Sequence, residues 1–158
     1  KLDFAMGSFA SLTKQIRRQP LWVERYVSVA RRSHPRLGSE PTLRAFAAEK
    51  HVLVSIAGSG HAHQLAERAL ESAVPPENII CRIPMFIGAA IVAKHTDAVA
   101  TLPLSVAAVL AKDLDLQVIT PPIKLPKIDI YQYWHDRFDR DPGNQWIRAI
   151  FKSLFRKS

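Results

Sequence analysis

The residues best placed to do chemistry lie in a glycine-rich turn, GSGH at residues 58–61. The preceding run HVLVSIA is apolar on both parities, which is typical of a strand covered on both faces in a parallel sheet. A helical pattern follows from about Ala62 to Ala73. Free backbone N–H groups and the positive dipole end at such a helix start favour an anionic or polar ligand group. A plain strand-to-helix turn is the competing interpretation.

Two further turns follow predicted strands, PMF at residues 84–86 and TLPLS at residues 101–105. Sheets in α/β proteins place ligands at the carboxyl ends of their strands. Met85 and Phe86 can pack on an aromatic ring, although such residues at a helix start often serve the core. We expect Met85, Phe86, Pro103 and Ser105 to border a ligand site, with Tyr133 facing it from a second lobe.

Catalytic and metal-binding interpretations find little support in the sequence. Ser59 lacks the flanking glycines of a nucleophile elbow and has no acid and base to pair with. His61 and His63, two residues apart on a helix, point about 200° apart and are poorly placed to share a metal. His135 and the acidic residues near it suit capping and surface positions. We therefore predict a protein that is not an enzyme and uses neither a metal nor a cofactor.

Composition sets outer limits on the class of protein. The chain has 158 residues, 47% of them hydrophobic, which suffices for one compact unit or two small lobes. Its only cysteine, Cys81, excludes an internal disulfide and fits a reducing compartment, so we expect the cytoplasm. The net charge of +8 allows a nucleic-acid or acidic-membrane partner. No basic run exceeds two residues, however, so a solvated basic surface is the simpler interpretation.

The order of elements predicts an α/β fold with two lobes. Strands and helices alternate between residues 21 and 120, which calls for a largely parallel, Rossmann-like sheet with right-handed crossovers. The first of these predicted strands covers residues 21–31, with Tyr26 among its bulky members. The proline-rich run TPPIKLPK at 120–127 is predicted to be a stiff crossing, and residues 8–20 a polar connection in the opposite direction. One lobe then comprises residues 21–120. Residues 1–20 and 121–158 supply the crossovers and an incomplete second lobe.

The end of the chain predicts a strand followed by an amphipathic helix. Asp141 can cap the helix, and Pro142 suits its first position because proline has no N–H to lose. Large apolar residues recur behind it at helical spacing and predict one inward-facing stripe. The stripe comprises Trp146, Ile147, Ile150, Phe151, Leu154 and Phe155.

The same region resembles a known family. The run YWHDRFDRDPGNQWIRAIF, with TDAVATLP, IPMF, RYVSVARRSHPRL and KLDFAMG before it, is similar to the effector-binding domain of LysR-type transcription regulators. It most resembles the branch that senses aromatic inducers such as salicylate, nitroaromatics and nodulation flavonoids. The resemblance implies a periplasmic-binding-protein-like fold with an effector in the cleft between the lobes. It also implies an N-terminal winged helix-turn-helix, absent from this chain, that binds DNA.

The resemblance carries expectations for particular residues. Ser59, Gly60 and His61 would contact the inducer, with Ser59 and His61 hydrogen-bonding it. Where salicylate-type relatives are expected to have an arginine and a histidine, this chain has Ser105 and Glu24. Losing a cation and gaining an acid disfavours a carboxylate inducer, so we predict a neutral, phenolic or otherwise uncharged aromatic effector.

Assembly is a further implication of the resemblance. The effector domains of the family pair side by side, usually within a tetramer, and the expected pairing surface is a small-residue helix. Its predicted contact residues are Phe86, Ala89, Ala90 and Ala93. An exported solute-binding protein with the same two-lobed architecture is the alternative function. The sequence upstream distinguishes the two functions. A helix-turn-helix there would support the regulator, and a signal peptide would support the exported solute-binding protein.

Overall fold

Two β-sheets organise the chain in the computed structural model, which describes residues 3–9, 11–56 and 61–155. The chain divides into unit 1, Lys1–Glu24 with Lys127–Ser158, and unit 2, Arg25–Pro126. The strands are β1 (Ala5–Gly7), β2 (Ile16–Glu24), β3 (Tyr26–Arg31), β4 (Lys50–Val54), β5 (Ile79–Ile83), β6 (Ala98–Pro103), β7 (Leu116–Ile119) and β8 (Ile128–His135). The helices are α1 (Leu43–Ala47), α2 (His61–Ala73), α3 (Phe86–His95), α4 (Leu104–Asp113) and α5 (Pro142–Leu154).

Unit 2 contains a five-stranded sheet in the order β5-β4-β6-β3-β7. The β4 strand runs parallel to β5 and β6, whereas β3 is antiparallel to both β6 and β7. The predicted, largely parallel sheet is therefore present, with β3 as the exception. A reversed strand is possible there because β3 enters directly from β2, without the helical crossover that parallel neighbours require.

Helices cover both faces of this sheet, which explains the unbroken apolar runs. Val52 and Val54 face α3 and α4, while Leu53 between them faces α1 and α2. Period-two alternation sends neighbouring residues to opposite faces, so a strand between two helical layers needs apolar residues at every position.

A buried histidine and a buried carboxylate are both satisfied inside unit 2. His51 is 1% exposed, and its Nε2 donates to the carbonyl oxygen of Phe46 at 2.8 Å. Burial lowers the pKa of His51, since the charged imidazolium would lose its hydration there. Glu49, also buried, accepts two hydrogen bonds from the guanidinium of Arg36, at 2.8 and 2.7 Å.

The structure corrects the sequence prediction around residue 20. Residues 8–20 were expected to connect the lobes, and 21–31 to form one strand. Instead β2 begins at Ile16 and pairs antiparallel with β8, and Tyr26 starts a separate strand in the other sheet. The polar residues of β2 misled the prediction, because backbone pairing does not depend on side-chain polarity when one sheet face is open. Its pairing shifts register between Pro20 and Trp22, next to the residue that lacks an N–H.

Unit 1 is a three-stranded sheet, β1-β8-β2, with α5 packed on it. Asp141 caps α5 as predicted, since its carboxylate accepts from the Asn144 N–H at 2.7 Å and Pro142 follows. On the packed face, Phe151 lies 5.0 Å from Phe4 between ring centroids, and Phe155 stacks on Trp22 at 4.3 Å.

The predicted inward stripe of α5 is partly wrong. Trp146 and Leu154 are 67% and 65% exposed, whereas Asn144 and Arg148 are buried. The reason lies in β8: the guanidinium of Arg148 stacks over the ring of Trp134 at 4.0 Å and donates to the carbonyl oxygen of Asp139 at 2.9 Å. Two polar residues thus fix the helix orientation and turn Trp146 outward.

The segment between β8 and α5 contacts the same pair of side chains, Trp134 and Arg148. The indole N–H of Trp134 donates to the carboxylate of Asp139 at 2.9 Å, and this bond is the main reason that the pKa of Asp139 lies below its usual value. Asn144 donates to the carbonyl oxygen of Asp3 at 2.8 Å. The tryptophan, aspartate and asparagine of this region, Trp134, Asp139 and Asn144, therefore have structural roles.

Within the part of the chain described, every helix is too short or too polar to span a membrane.

Candidate functional site

One edge of the unit 2 sheet gathers most of the predicted ligand-binding positions. The parallel strands β4, β5 and β6 all end there, and β3 begins there because Tyr26 pairs with Pro103. Three helices, α2, α3 and α4, start from the same side. We call these strand ends and helix starts the strand-end edge.

The helix starts at this edge lack the usual neutralising groups. Neither α3, after Met85, nor α4, after Pro103, has a side chain that caps its first turn. No acidic residue lies in the first turn of α2, α3 or α4. The Leu104 N–H of α4 already donates to the carbonyl oxygen of Arg25 at 2.7 Å. The other first-turn N–H groups and the positive dipole ends are suited to a hydroxyl or other oxygen of a ligand.

A histidine that the sequence prediction did not assign to the site lies at its centre. Nδ1 of His63 is 2.8 Å from the hydroxyl of Tyr26, and Nε2 is 3.0 Å from the carbonyl oxygen of Val54. A carbonyl oxygen can only accept, so Nε2 carries a proton, while Nδ1 shares a hydrogen bond with the tyrosine hydroxyl. Both ring nitrogens of His63 therefore have partners within unit 2.

Apolar and polar neighbours surround this pair. The ring of Phe86 meets His63 edge to face, with 5.3 Å between centroids and 87° between planes. A void of about 10 Å³ adjoins the pair and is lined in part by Tyr26, His63 and Thr101. Thr101 shares a hydrogen bond of 2.8 Å with the buried hydroxyl of Ser28.

The predicted site residues of unit 2 fall at this edge as far as they are described. Phe86 contacts His63, Met85 is 61% exposed beside it, Pro103 ends β6 and Ser105 is exposed in the first turn of α4. Ser59 and Gly60 lie outside the described residues, and of His61 only the backbone is described, as the first residue of α2. The hydrogen bonds expected from Ser59 and His61 stay predictions.

The other two predicted residues, Glu24 and Tyr133, belong to unit 1. Glu24 ends β2, is 6% exposed, and accepts from the indole N–H of Trp22 at 3.5 Å. The hydroxyl of Tyr133 accepts from the Phe9 N–H at 3.4 Å, and the two rings meet at 4.9 Å. Both side chains have partners within their own unit, and their contact with a ligand stays a prediction.

The alanines predicted to pair with a second copy are turned inward. Ala89, Ala90 and Ala93 are fully buried against the sheet of unit 2. The outer side of α3 instead presents Ile87 and Ile91, which are 57% and 45% exposed. The alanines let α3 approach its own sheet, so any pairing through this helix must use its outer residues. Pairing itself stays a prediction.

Tyr26 and His63 were missed for identifiable reasons. Tyr26 was interpreted as a bulky strand residue, and His63 was considered only as a metal partner for His61. The available signal was the position of His63 in the first turn of a predicted helix that follows a strand, because such helix starts lie at ligand-binding edges. Tyr26 offered no such signal, since the predicted strand placed it in the middle of 21–31. Among the residues the structure describes, no three histidine, cysteine, aspartate or glutamate side chains could jointly hold a metal ion.

Comparisons with known proteins connect this geometry to a family. Residues 1–156 match the LysR substrate binding domain. The chain is 34% identical over 153 residues to the HTH-type transcriptional regulator LinR of Sphingobium indicum, covering 97% of this chain and 50% of that protein. It is 32% identical over 157 residues to the HTH-type transcriptional activator NagR of Ralstonia sp., covering 99% and 52%.

A solved structure, described as that of a probable transcriptional regulator, has a similar fold. The crystal structure of PA0477 from Pseudomonas aeruginosa superposes with a TM-score of 0.75 at 30% identity, covering 96% of this chain and 49% of that one. The chain therefore spans about half the length of the relatives that it matches.

Proposed function

The chain belongs to the LysR substrate-binding domain family, and we propose that it binds a small, neutral aromatic effector for a transcription regulator. The regulator as a whole would act in the cytoplasm and bind DNA through a helix-turn-helix outside this chain. Effector binding would change its affinity for DNA or its geometry on DNA. The relatives LinR and NagR are named as HTH-type regulators, which supports the regulator over the exported solute-binding protein.

The observation that carries the proposal is the strand-end edge of unit 2. It combines uncapped helix starts, which offer N–H donors, with the aromatic ring of Phe86 and the exposed thioether of Met85. Small-molecule sites combine apolar walls with a few placed polar groups in this way. An aromatic ring with one hydroxyl matches that inventory.

The absence of an arginine at position 105 favours a neutral effector over a carboxylate. Ser105 occupies the first turn of α4, where salicylate-type relatives are expected to place an arginine. A hydroxyl cannot replace the bidentate, charge-assisted bonds of a guanidinium to a carboxylate. The helix N–H groups remain, and these can donate to a phenolic oxygen without any side-chain cation.

The effector can act on DNA binding only through a difference in affinity. A ligand shifts an equilibrium between two states of a protein by no more than the ratio of its affinities for them. The proposal therefore requires that the effector bind more tightly to one DNA-binding state of the regulator. Reciprocally, DNA must change the effector's affinity by the same factor.

A thermal-shift screen of the full-length protein against aromatic acids, phenols and flavonoids tests the ligand class. We expect concentration-dependent stabilisation by neutral phenols, following RT ln(1 + [L]/Kd), and little by salicylate. Phe86→Ala should weaken the effect, while Val109→Ala, at a 63% exposed position of α4, should not. Tight binding of salicylate together with weak binding of every neutral phenol would contradict the proposal.

A gel-shift comparison tests where DNA binding resides. The full-length protein should bind its operator specifically, and residues 1–158 alone should not, since they show no helix-turn-helix signature. Nanomolar, sequence-specific binding by residues 1–158 alone would count against a purely effector-sensing domain.

A further inference from the structure

One imidazole connects four elements at the strand-end edge. His63 lies in the first turn of α2, its Nδ1 shares a hydrogen bond with the hydroxyl of Tyr26 at the start of β3, and its Nε2 donates to the carbonyl of Val54 at the end of β4. Its ring also packs against Phe86 at the start of α3. Few single side chains could fix the relative positions of two strands and two helices at a ligand-binding edge.

The connected elements are those that carry the proposed effector contacts. Val54 is the last residue of β4, so the bond to its carbonyl fixes where the chain leaves the sheet towards Ser59. His63 follows His61 in the same helical turn, and Phe86 is held by the ring contact. A displaced His63 would therefore move several contacts at once.

We propose that His63 is a positioning residue for the effector site, which acts through Tyr26, Val54 and Phe86 without needing to touch the effector. This inference rests on the proposed function. It deepens it, because it assigns effector affinity to a residue behind the contact surface. A proton on Nε2 is required, since the Val54 carbonyl can only accept.

The competing possibility is that His63 only stabilises unit 2. Three variants separate the possibilities. His63→Phe keeps a ring but removes both hydrogen bonds, and His63→Gln restores one acceptor and one N–H donor. Tyr26→Phe removes only the hydroxyl at the other end of the bond. Arg68→Ala, at an exposed position of the same helix, is the matched control.

Phenol affinity of the full-length protein, measured by calorimetry, is the first readout. We expect His63→Phe and Tyr26→Phe each to weaken phenol binding about tenfold, the equivalent of one hydrogen bond. The double variant should bind phenol no more weakly than the weaker-binding single variant, since both substitutions remove the hydrogen bond between Tyr26 and His63. His63→Gln should lie within about threefold of the wild type, and Arg68→Ala should equal it.

Wild-type phenol affinity in Tyr26→Phe or His63→Phe, alongside a lowered melting temperature, would overturn the proposal and leave His63 a structural residue. If His63→Phe does not fold, Tyr26→Phe and His63→Gln still decide, since each preserves most of the packing. Equal losses in the glutamine and phenylalanine variants would also overturn it, because the hydrogen bonds would then not matter.

Side-chain nitrogen NMR of the full-length protein separates this inference from the proposed function. The spectrum should show His63 protonated on Nε2, and Tyr26→Phe should shift the Nδ1 resonance. An Nε2 without a proton would refute the positioning geometry whatever the effector is, because the Val54 carbonyl can only accept. A wild-type protein that is protonated on Nε2 but binds no phenol would instead refute the proposed effector class.

Discussion

The two units use buried polar groups in different ways. In unit 1 they orient a helix: Arg148 and Asn144 hold α5 to Trp134, Asp139 and Asp3. In unit 2 the pair formed by Tyr26 and His63 lies at an edge where strands end and helices begin. A cluster of polar side chains therefore indicates a ligand site only when its position in the topology also allows ligand access.

The units also differ in how completely their buried groups are packed and hydrogen-bonded. Unit 2 has helices on both sheet faces and two apolar clusters. Unit 1 leaves two buried amide oxygens, Gln132 Oε1 and Asn144 Oδ1, without a partner among the described residues. Because an unpaired buried oxygen is costly, unit 1 is the less self-sufficient of the two. We expect unit 2 to tolerate core truncation poorly and unit 1 to depend on its polar contacts.

The largest effect should follow from cavity formation in unit 2. Phe46 is fully buried and meets the ring of His51 at 4.7 Å, so Phe46→Ala should lower the free energy of unfolding by about 3–5 kcal/mol. Urea denaturation measures the change. Leu43→Ala, at a 49% exposed position of the same helix, is the control and should cost far less. Equal losses for the two would mean that α1 is not packed as described.

A pH effect should come next, also in unit 2. Burial lowers the pKa of His51, so below about pH 6.5 the unfolded chain binds a proton that the folded chain resists. The stability associated with the neutral imidazole is therefore complete above that pH, and it is lost progressively as the pH falls from there towards the lowered pKa of the folded state. The slope cannot exceed about 1.4 kcal/mol per pH unit for one proton.

Urea midpoints at pH 7.5, 6.5 and 5.5 measure this dependence. His51→Gln, which keeps a donor for the Phe46 carbonyl, should flatten the dependence between pH 6.5 and 5.5. An unchanged slope in that variant would assign the pH effect to other groups.

A smaller loss should follow in unit 1 when its helix cap is removed. Asp141→Ala deletes the carboxylate that accepts from the Asn144 N–H and should cost about 1 kcal/mol. Thr42→Ala removes the matching cap of α1 in unit 2, where the hydroxyl accepts from Ala45 at 3.2 Å. Circular dichroism melting of both variants measures the stability that each cap contributes. A negligible loss for Asp141→Ala would contradict the dependence of unit 1 on polar contacts.

The smallest effect is expected at Trp146. The side chain is 67% exposed, so Trp146→Ala should change the free energy of unfolding by less than about 0.5 kcal/mol in this chain. Trp22→Ala, which removes the stack on Phe155, is the matched tryptophan in the same unit and should cost clearly more. A large loss at Trp146 would restore the inward stripe predicted from the sequence.

Features set by neighbouring residues were predictable from the sequence. Asp141 and Pro142 start α5 because capping and proline geometry involve only the first helical turn. The apolar run at 51–54 indicated a strand covered on both faces, since each parity needs its own helical layer. The turns that carry Met85, Phe86 and Pro103 were likewise placed at strand ends by the order of elements alone.

The tertiary structure decided what depends on residues far apart in the chain. The strand β2 exists because β8 pairs with it, and the outward position of Trp146 follows from the stack of Arg148 on Trp134. Tyr26 and His63 lie 37 residues apart, so no local pattern could show that one imidazole joins them. Sequence periodicity records which face of an element is apolar, whereas the partners of a polar side chain are chosen only when distant strands and helices come together.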